Sequence, residues 1–389
     1  MPDAPRKLSH YFAHSKRKGR AGLPLMSVTM RDGLMERAEL EKGKERKTIS
    51  ALSPEEHLTV SENDLAYNMM RMWQGAFGIA GQDANVSPAY VVMTPKPTVC
   101  VEFASQWFRS EIGLYALWAY SHGLTSDRLR LYPNDFLHIP VHWPELTRQE
   151  EIGRKLSEWD RARDVLKSLV RTYEQRLEWT VREVLTGKRR LYGFDSPWVR
   201  RPLASILTEH KLKPSGRERV HSVTVKWGLV DQVEHLGRSF AADDTSNYNR
   251  VCPGDIVYTK SPTGKFPFGI VRQSELDHDA IVSPLYGVFR PASTEEGVFL
   301  SGLFSSPNFT NRYLTPLVQK GAKNTIAVTN SQFLEGRVEM PSEREELVEL
   351  VGLIEAAQEN LTAASLALRE VERQKKALSQ HLFRPGGPR

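Results

Sequence analysis

Two stretches of the chain repeat apolar residues at alternating spacings of three and four. The first puts Ile152, Leu156, Trp159, Leu166, Val170, Tyr173, Leu177 and Val184 on one stripe, broken at Arg163 and Thr180. The second puts Leu347, Leu350, Ile354, Ala357, Leu361, Ala364, Leu368, Val371, Leu378 and Leu382 on one stripe, broken only at Lys375. Sustained spacing of this kind is the pattern of helices that pair along a seam. The first helix is expected from Arg148 to Thr186, with Gly187 as its stop. It would span about 58 Å at about 1.5 Å per residue. So long a helix buries little by itself, so the two are expected to pair with each other. The alternative is two amphipathic helices, each packed on its own domain. The stretch Arg161–Asp164 reads as exposed.

Outside the two helices the pattern is shorter and strand-like. Runs at Ser27–Met30, Leu65–Tyr67, Tyr90–Met93, Val223–Lys226, Asp255–Thr259 and Tyr286–Phe289 are rich in strand formers. Turn signals such as Asn63-Asp64 and Pro253-Gly254-Asp255 separate them. Helical patterns occupy Phe103–Tyr120 and the neighbourhood of Val298–Ser305. The apolar stretch Ile112–Tyr120 is too short to span a bilayer and reads as a buried helix.

The chain also answers itself. Met26-Ser27-Val28-Thr29 and Gly33-Leu34 correspond to His221-Ser222-Val223-Thr224 and Gly228-Leu229 at an offset of 195 (28 to 223, 33 to 228). Leu65-Ala66-Tyr67 answers Ile256-Val257-Tyr258, and Gly78-Ile79 answers Gly269-Ile270, both at 191. Val86-Ser87-Pro88-Ala89-Tyr90 answers Val282-Ser283-Pro284-Leu285-Tyr286 at 196, and Gly123 answers Gly321 at 198. The order holds across half the chain, so chance matching of dipeptides is a poor account. A period this long reads as a duplicated domain, not a solenoid unit. The expected fold is α+β: two duplicated α/β domains separated by two long helices forming an antiparallel coiled coil. The boundaries are 1–143 for the first domain, 144–190 for the first helix, 191–340 for the second domain, 341–383 for the second helix and 384–389 for a tail. A two-fold relation between halves makes the paired helices antiparallel, with one head near each end.

Composition narrows the classes. The 389 residues carry 53 Lys+Arg against 47 Asp+Glu, a formal charge of +6. That balance permits nucleic-acid binding without demanding it. The basic N-terminus lacks the apolar core of a signal peptide. Cys100 and Cys252 form no CxxC pair or Cys/His cluster, which argues against a zinc site or a disulfide framework and fits a reducing cytoplasm. No Walker loop, G-x-G-x-x-G, H-E-x-x-H or G-x-S-x-G occurs. Pro253-Gly254-Asp255 with Lys260 has a nuclease-like outline, but Tyr258 stands where a metal-binding carboxylate is needed. His210 and His221 read as surface or turn residues. The balance favours a binding protein with no catalytic and no metal-binding residues.

Several segments mix basic, amide and aromatic groups. Asn68, Arg71, Trp73 and Gln74 follow the strand ending in Tyr67. Lys260, Ser261, Thr263 and Lys265 follow the strand ending in Tyr258, in the equivalent place. Arg and Lys suit guanine O6/N7, and Asn and Gln suit adenine N6/N7. Ser121, His122 and Gly123 answer Lys320, Gly321, Lys323 and Asn324, where glycine would let backbone N–H groups approach a phosphate. Asn247, Tyr248, Asn249 and Arg250 form a polar cluster in the second half, and Arg46 and Lys47 are candidates in the first. Each is also readable as an ordinary solvated loop.

Taken in order, LAYNMMRMWQGAFGIAG, VSPAYVV, FLHIPVHWPELTRQEEIGRKLSEWD and VLTGKRRLYGFDSPW resemble the specificity subunit of Type I restriction–modification systems, over almost the whole chain. Arg148-Gln149-Glu150-Glu151 departs from the Glu-Gln pair of many members, and the second copy, SEREEL, is looser still. The resemblance implies a cytoplasmic, phage-defence protein without catalysis of its own. Each head would read one half of a split target on double-stranded DNA. The helices would set the gap and dock two methyltransferase subunits, and a restriction/translocase subunit would join them. S-adenosylmethionine, ATP and Mg2+ would belong to those partners, with no cofactor bound by this chain. The competing readings are a DNA-modifying enzyme with an unrecognised site and a coiled-coil protein scaffold.

Overall fold

The computed structural model describes residues 4–40, 42, 52–125, 127–225, 227–236, 244–320 and 326–384. The chain divides into two units, Met1–Lys167 with Leu366–Arg389, and Ser168–Ser365. Eight strands build the main sheets: β1 (Phe12–Ser15), β2 (Leu65–Asn68), β3 (Phe77–Ile79), β4 (Tyr90–Pro95), β5 (Leu207–Glu209), β6 (Ile256–Tyr258), β7 (Val271–Gln273) and β8 (Gly287–Pro291). The helices that carry the cores are α1 (Val101–Arg109), α2 (Glu111–Ala119), α3 (Leu146–Trp179), α4 (Thr294–Phe304), α5 (Pro307–Leu314) and α6 (Arg344–Phe383).

In the first unit an antiparallel sheet runs β1-β4-β2-β3, with Leu65 opposite Met93 and Ile79. Alternation along β2 sends Leu65 and Tyr67 into one core and Ala66 into another. Both faces are therefore covered, which is why this strand is apolar at three successive positions. One face meets α1, α2 and the start of α3. The other meets a second sheet of Leu34–Glu36, Leu25–Val28, Ala84–Val86 and Leu58–Val60, in that order. Tyr67 stacks on Phe136 at 5.5 Å and gives its hydroxyl proton to the Leu131 carbonyl at 3.3 Å.

The second unit repeats the order as β5-β8-β6-β7. Ile256 and Tyr258 face one core, and Val257 faces another. Tyr258 stacks on Phe333 at 4.8 Å. Its second layer comprises the hairpin His221–Thr224/Gly228–Asp231 and the pair Asn249–Val251/Ala280–Val282. A parallel bridge from Val220 to Ile281 joins these two, matching the parallel pairing of Leu25–Val28 with Ala84–Val86.

The two turn signals share one construction. Asp64 accepts the Ser61 N–H at 2.8 Å and pairs with Arg17. Asp255 accepts the Cys252 N–H at 2.7 Å and binds His210 Nε2 at 2.8 Å. His210 is therefore a partner of a buried carboxylate, and His221 is buried within its strand. Neither is the surface residue its sequence context predicts: His210 is held by Asp255, 45 residues on, and His221 lies buried with its Nδ1 3.0 Å from the Arg219 carbonyl.

Two helical expectations are also corrected. Phe103–Tyr120 is not continuous: Ser110 takes an extended conformation, ends α1 and caps α2 by accepting the Gly113 N–H at 3.1 Å. At this corner a side chain on Gly113 would strike the Trp107 carbonyl. α2 is not buried all round either, since Tyr115 and Trp118 are 66% and 49% exposed.

The first long helix begins two residues earlier than expected, at Leu146, and stays α-helical to Trp179. Thr180–Val184 then forms a π-turn, closed by the Leu185 N–H on the Thr180 carbonyl at 3.1 Å. This is where the apolar stripe breaks in the sequence, and the wider turn keeps Thr180, Val181, Val184 and Leu185 all buried. Gly187 ends the run in the left-handed region, φ +71°, with the Trp198 ring against its Cα.

Within the first unit, Ile152 and Leu156 of α3 share a core with Leu378, Leu382 and Phe383 of α6. Within the second, Leu177, Val181 and Val184 share one with Leu347, Leu350 and Ile354. Arg163 and Lys375, the two charged interruptions, meet at Asp160: Arg163 Nη1 lies 2.7 Å and Lys375 Nζ 2.6 Å from its Oδ1. The segment Arg161–Asp164 is thus tied down at Arg163 and is not simply exposed. Among the described residues no helix is long and apolar enough to cross a membrane.

Candidate nucleic-acid interface

In the first unit the loop after β2 is a built turn. Asn68 Oδ1 accepts the Met70 N–H at 3.0 Å, and Met72–Gln74 coils into a 3-10 turn that packs on α2. The Trp73 indole N–H donates to the Met70 carbonyl at 3.1 Å. Its hydrogen bond is therefore spent locally, and what Trp73 can offer a partner is its ring. Arg71 and Gln74 are exposed.

The loop after α2 comes to the same place, through the Leu131 N–H on the Met69 carbonyl at 2.9 Å. Ser121 is buried and bonds the Leu117 carbonyl at 2.7 Å, so it finishes the helix. Gly123 is needed by its own loop, since a Cβ there would lie 2.5 Å from the Arg128 carbonyl. His122 is exposed, 3.8 Å from Asp135, and bridges to Arg130 through the backbone. Arg128 and Arg130, not among the predicted residues, are exposed on this loop and join the predicted Arg71 as cations. The run Arg128-Leu129-Arg130 was their signal.

In the second unit Lys260 has a positive φ of 59° and is partly buried. Burial pushes its ammonium pKa down, against the pull of Glu209. Thr263 and Phe266 close the loop by reciprocal backbone bonds of 2.9 Å. The Lys265 carbonyl accepts from Asn311 of α5 at 3.2 Å, leaving the Lys265 side chain exposed.

The cluster Asn247–Arg250 goes elsewhere. Asn249 donates to the Tyr286 carbonyl at 3.0 Å, and Lys213 donates to the Asn247 carbonyl at 3.2 Å. The Tyr248 N–H bonds the Thr245 carbonyl at 2.9 Å. Arg250 lies between Glu218 at 3.8 Å and Asp279 at 3.6 Å, on the wall of a cavity of about 580 Å³. Its charge is thus compensated within the unit. Lys320 lies in the short strand Gln319–Lys320. Arg46, Lys47, Gly321, Lys323 and Asn324 fall outside the described residues.

Exposed cations beside amide and aromatic groups can hold phosphates and meet base edges. Among the described residues, no group of three or more His, Cys, Asp or Glu is placed to hold a metal ion.

No protein-family model and no curated protein matches the sequence. The fold does match: the crystal structure of a Type-I restriction-modification system S subunit from M. genitalium superposes with a TM-score of 0.60. The two chains are 13% identical, over 98% of this chain and 96% of that one. The chain has the S-subunit fold. The HsdS subunit from Thermoanaerobacter tengcongensis is also similar, at 13% identity and TM-score 0.45 over 99% and 97% of the two chains. A chain of the type I R-M system, solved for its complex assembly and conformational transition, shares 14% identity at TM-score 0.48 over 99% and 98%.

Proposed function

We propose that this chain is the non-catalytic DNA specificity subunit of a Type I restriction–modification complex. The observation that carries the reading is the match in fold to an S subunit over 98% of the chain. It is supported by the two units, which repeat one sheet order while presenting different loops. Residues 1–143 and 191–340 are then duplicated recognition domains, each reading one half of a bipartite target. Residues 144–190 and 341–383 are spacer helices paired as an antiparallel coiled coil, and 384–389 a tail. The contacts of early α3 with late α6, and of late α3 with early α6, support that pairing.

The helices dock two methyltransferase subunits and a restriction/translocase subunit in the cytoplasm, and S-adenosylmethionine, ATP and Mg2+ are taken up by those partners. Arg71, Trp73, Gln74, His122, Lys260 and Lys265 are the predicted residues best placed for DNA.

The test is methylation mapping. The full chain is incubated with DNA and labelled S-adenosylmethionine, alone and with methyltransferase subunits encoded beside it. Methylation at one bipartite sequence, only in the assembled complex, is expected. Methyl transfer by the chain alone would instead make it an enzyme.

A further inference from the structure

The hairpins Leu25–Val28/Leu34–Glu36 and His221–Thr224/Gly228–Asp231 end in tips of the same construction. In the first, Thr29 Oγ1 accepts the Asp32 N–H at 2.9 Å. In the second, Thr224 Oγ1 accepts the Trp227 N–H at 2.9 Å. Each tip closes on a glycine in the left-handed region, Gly33 at φ +70° and Gly228 at +60°. The frame, a threonine followed four residues later by glycine, is the same. The displayed side chains are not: Met30 and Asp32 in one, Val225 and Trp227 in the other.

Met30, Val225 and Trp227 are 40%, 39% and 44% exposed on turns that need none of them for closure. Each tip also has an arginine behind it. Arg109 lies over the Phe77 ring at 4.5 Å, with Nη2 close to Gly33. Arg272 donates to the Val225 carbonyl at 2.7 Å and to the Val271 carbonyl at 3.3 Å. Among the described residues neither guanidinium forms a salt bridge, though each acts through space on carboxylates, Arg109 on Asp160 and Asp32 and Arg272 on Glu275. A two-stranded ribbon fits the major groove, where apolar side chains meet thymine methyls.

We propose that these two tips are base-reading elements for double-stranded DNA, with Met30 and Asp32 serving one half-site and Val225 and Trp227 the other. This rests on the specificity-subunit reading and adds to it residues that the loops after β2 and β6 do not contain. A fixed frame with exchangeable content is what a reader needs: the turn holds position while the side chains set preference.

The experiment exchanges the tips in the full chain. One variant carries Val225→Met with Trp227→Asp, and the other Met30→Val with Asp32→Trp. The common turn accepts both exchanges, because the bond to threonine comes from a backbone N–H. Wild type and variants each select from a pool of randomised double-stranded oligonucleotides. Each exchange should alter one half-site, leave the other intact, and weaken binding to the wild-type sequence by about 5- to 150-fold, the cost of one mismatched base pair. Unchanged half-sites at unchanged affinity would overturn the proposal, whether or not binding of methyltransferase subunits falls. So would an equal loss on all sequences. Failure of the wild-type chain to enrich any sequence is a separate result, and it overturns the specificity-subunit reading itself. Thermal melting checks each variant; if an exchange unfolds, Trp227→Ala, at an exposed position, is put through the same selection and judged by the same outcomes.

Discussion

Arg190 grips Glu346 through two bonds of 2.8 Å, from Nε and Nη2 to the two carboxylate oxygens. Glu346 is 1% exposed and also takes the Trp198 indole N–H at 3.1 Å. The connector after the first long helix thereby locks the first turn of the second. The corresponding residue in the first unit is Gln149, which meets the Cys100 N–H and the Thr98 and Pro144 carbonyls instead. The departures in RQEE and SEREEL are two answers to one packing site.

Arg190→Ala should therefore cost about 2–4 kcal/mol of stability, since it strands a buried carboxylate. Glu346→Gln in the same chain should recover more than half of that loss. Urea unfolding of the two variants is the measurement, and a double variant no better than the single one would refute the account.

Asp160 contributes to the acid response of the first unit. Burial acts to raise its carboxyl pKa, but the bonds from Lys375 and Gln106 prevail and hold it below the usual range. A carboxyl depressed in the fold stabilises fully above its unfolded pKa of about 4, and that contribution fades as pH falls through the folded value. Asp160→Asn should cost about 2–3 kcal/mol at neutral pH, by leaving Arg163 and Lys375 unbalanced. It should also flatten the acid limb of stability against pH, read from urea midpoints between about pH 2.5 and 7. Lys375→Met, which removes a cation instead, should cost less.

If each head reads its own half-site, as proposed, the heads are exchangeable. Replacing residues 198–340 with the matching segment of another specificity chain should change one half-site in the methylated consensus and leave the other. A change in both, or in neither, would count against two separate readers.

If the helices act as a ruler, their length sets the gap between half-sites. Arg163 is bonded to Asp160 and Asp164 at 2.7 and 2.9 Å, so an insertion at Arg161–Asp164 would break the charged cluster. Arg171 and Thr172 are exposed and offer a better place. Four added residues lengthen the helix by about 6 Å and turn it roughly 40° past a full turn. The methylated consensus should keep both half-sites and change its gap by about one or two base pairs, each about 3.4 Å along the duplex. An unchanged gap with good activity would show that something else sets it.

The long-range pattern was readable because it is periodic. Every position of both stripes, from Ile152 and Leu347 onward, is at least partly buried, and Gly187 stops the first helix as expected. The six strand runs are strands, although Ser27–Met30 and Val223–Lys226 stop early, at Val28 and Thr224, where the threonine turns begin. What the pattern missed depends on partners distant in sequence. His210 finds Asp255, Arg190 finds Glu346 and Lys375 finds Asp160, and no local spacing announces such pairs. Among the candidate residues, chemistry was legible but availability was not. Trp73, Ser121 and Arg250 carry the right groups, yet their hydrogen bonds or charges are engaged within the protein.

The π-turn at Thr180–Val184 holds one residue more than an α-helical turn would. The wider turn takes up that residue while Val181, Val184 and Leu185 stay in the core. The converse follows: deleting a single residue within 180–184 should leave an ordinary α-helix with the same faces inward, while the same deletion at Leu166 would rotate every later side chain by about 100°. The turn that follows α3 is thus a place where the helical run can change length by one residue without turning its later faces away from the core.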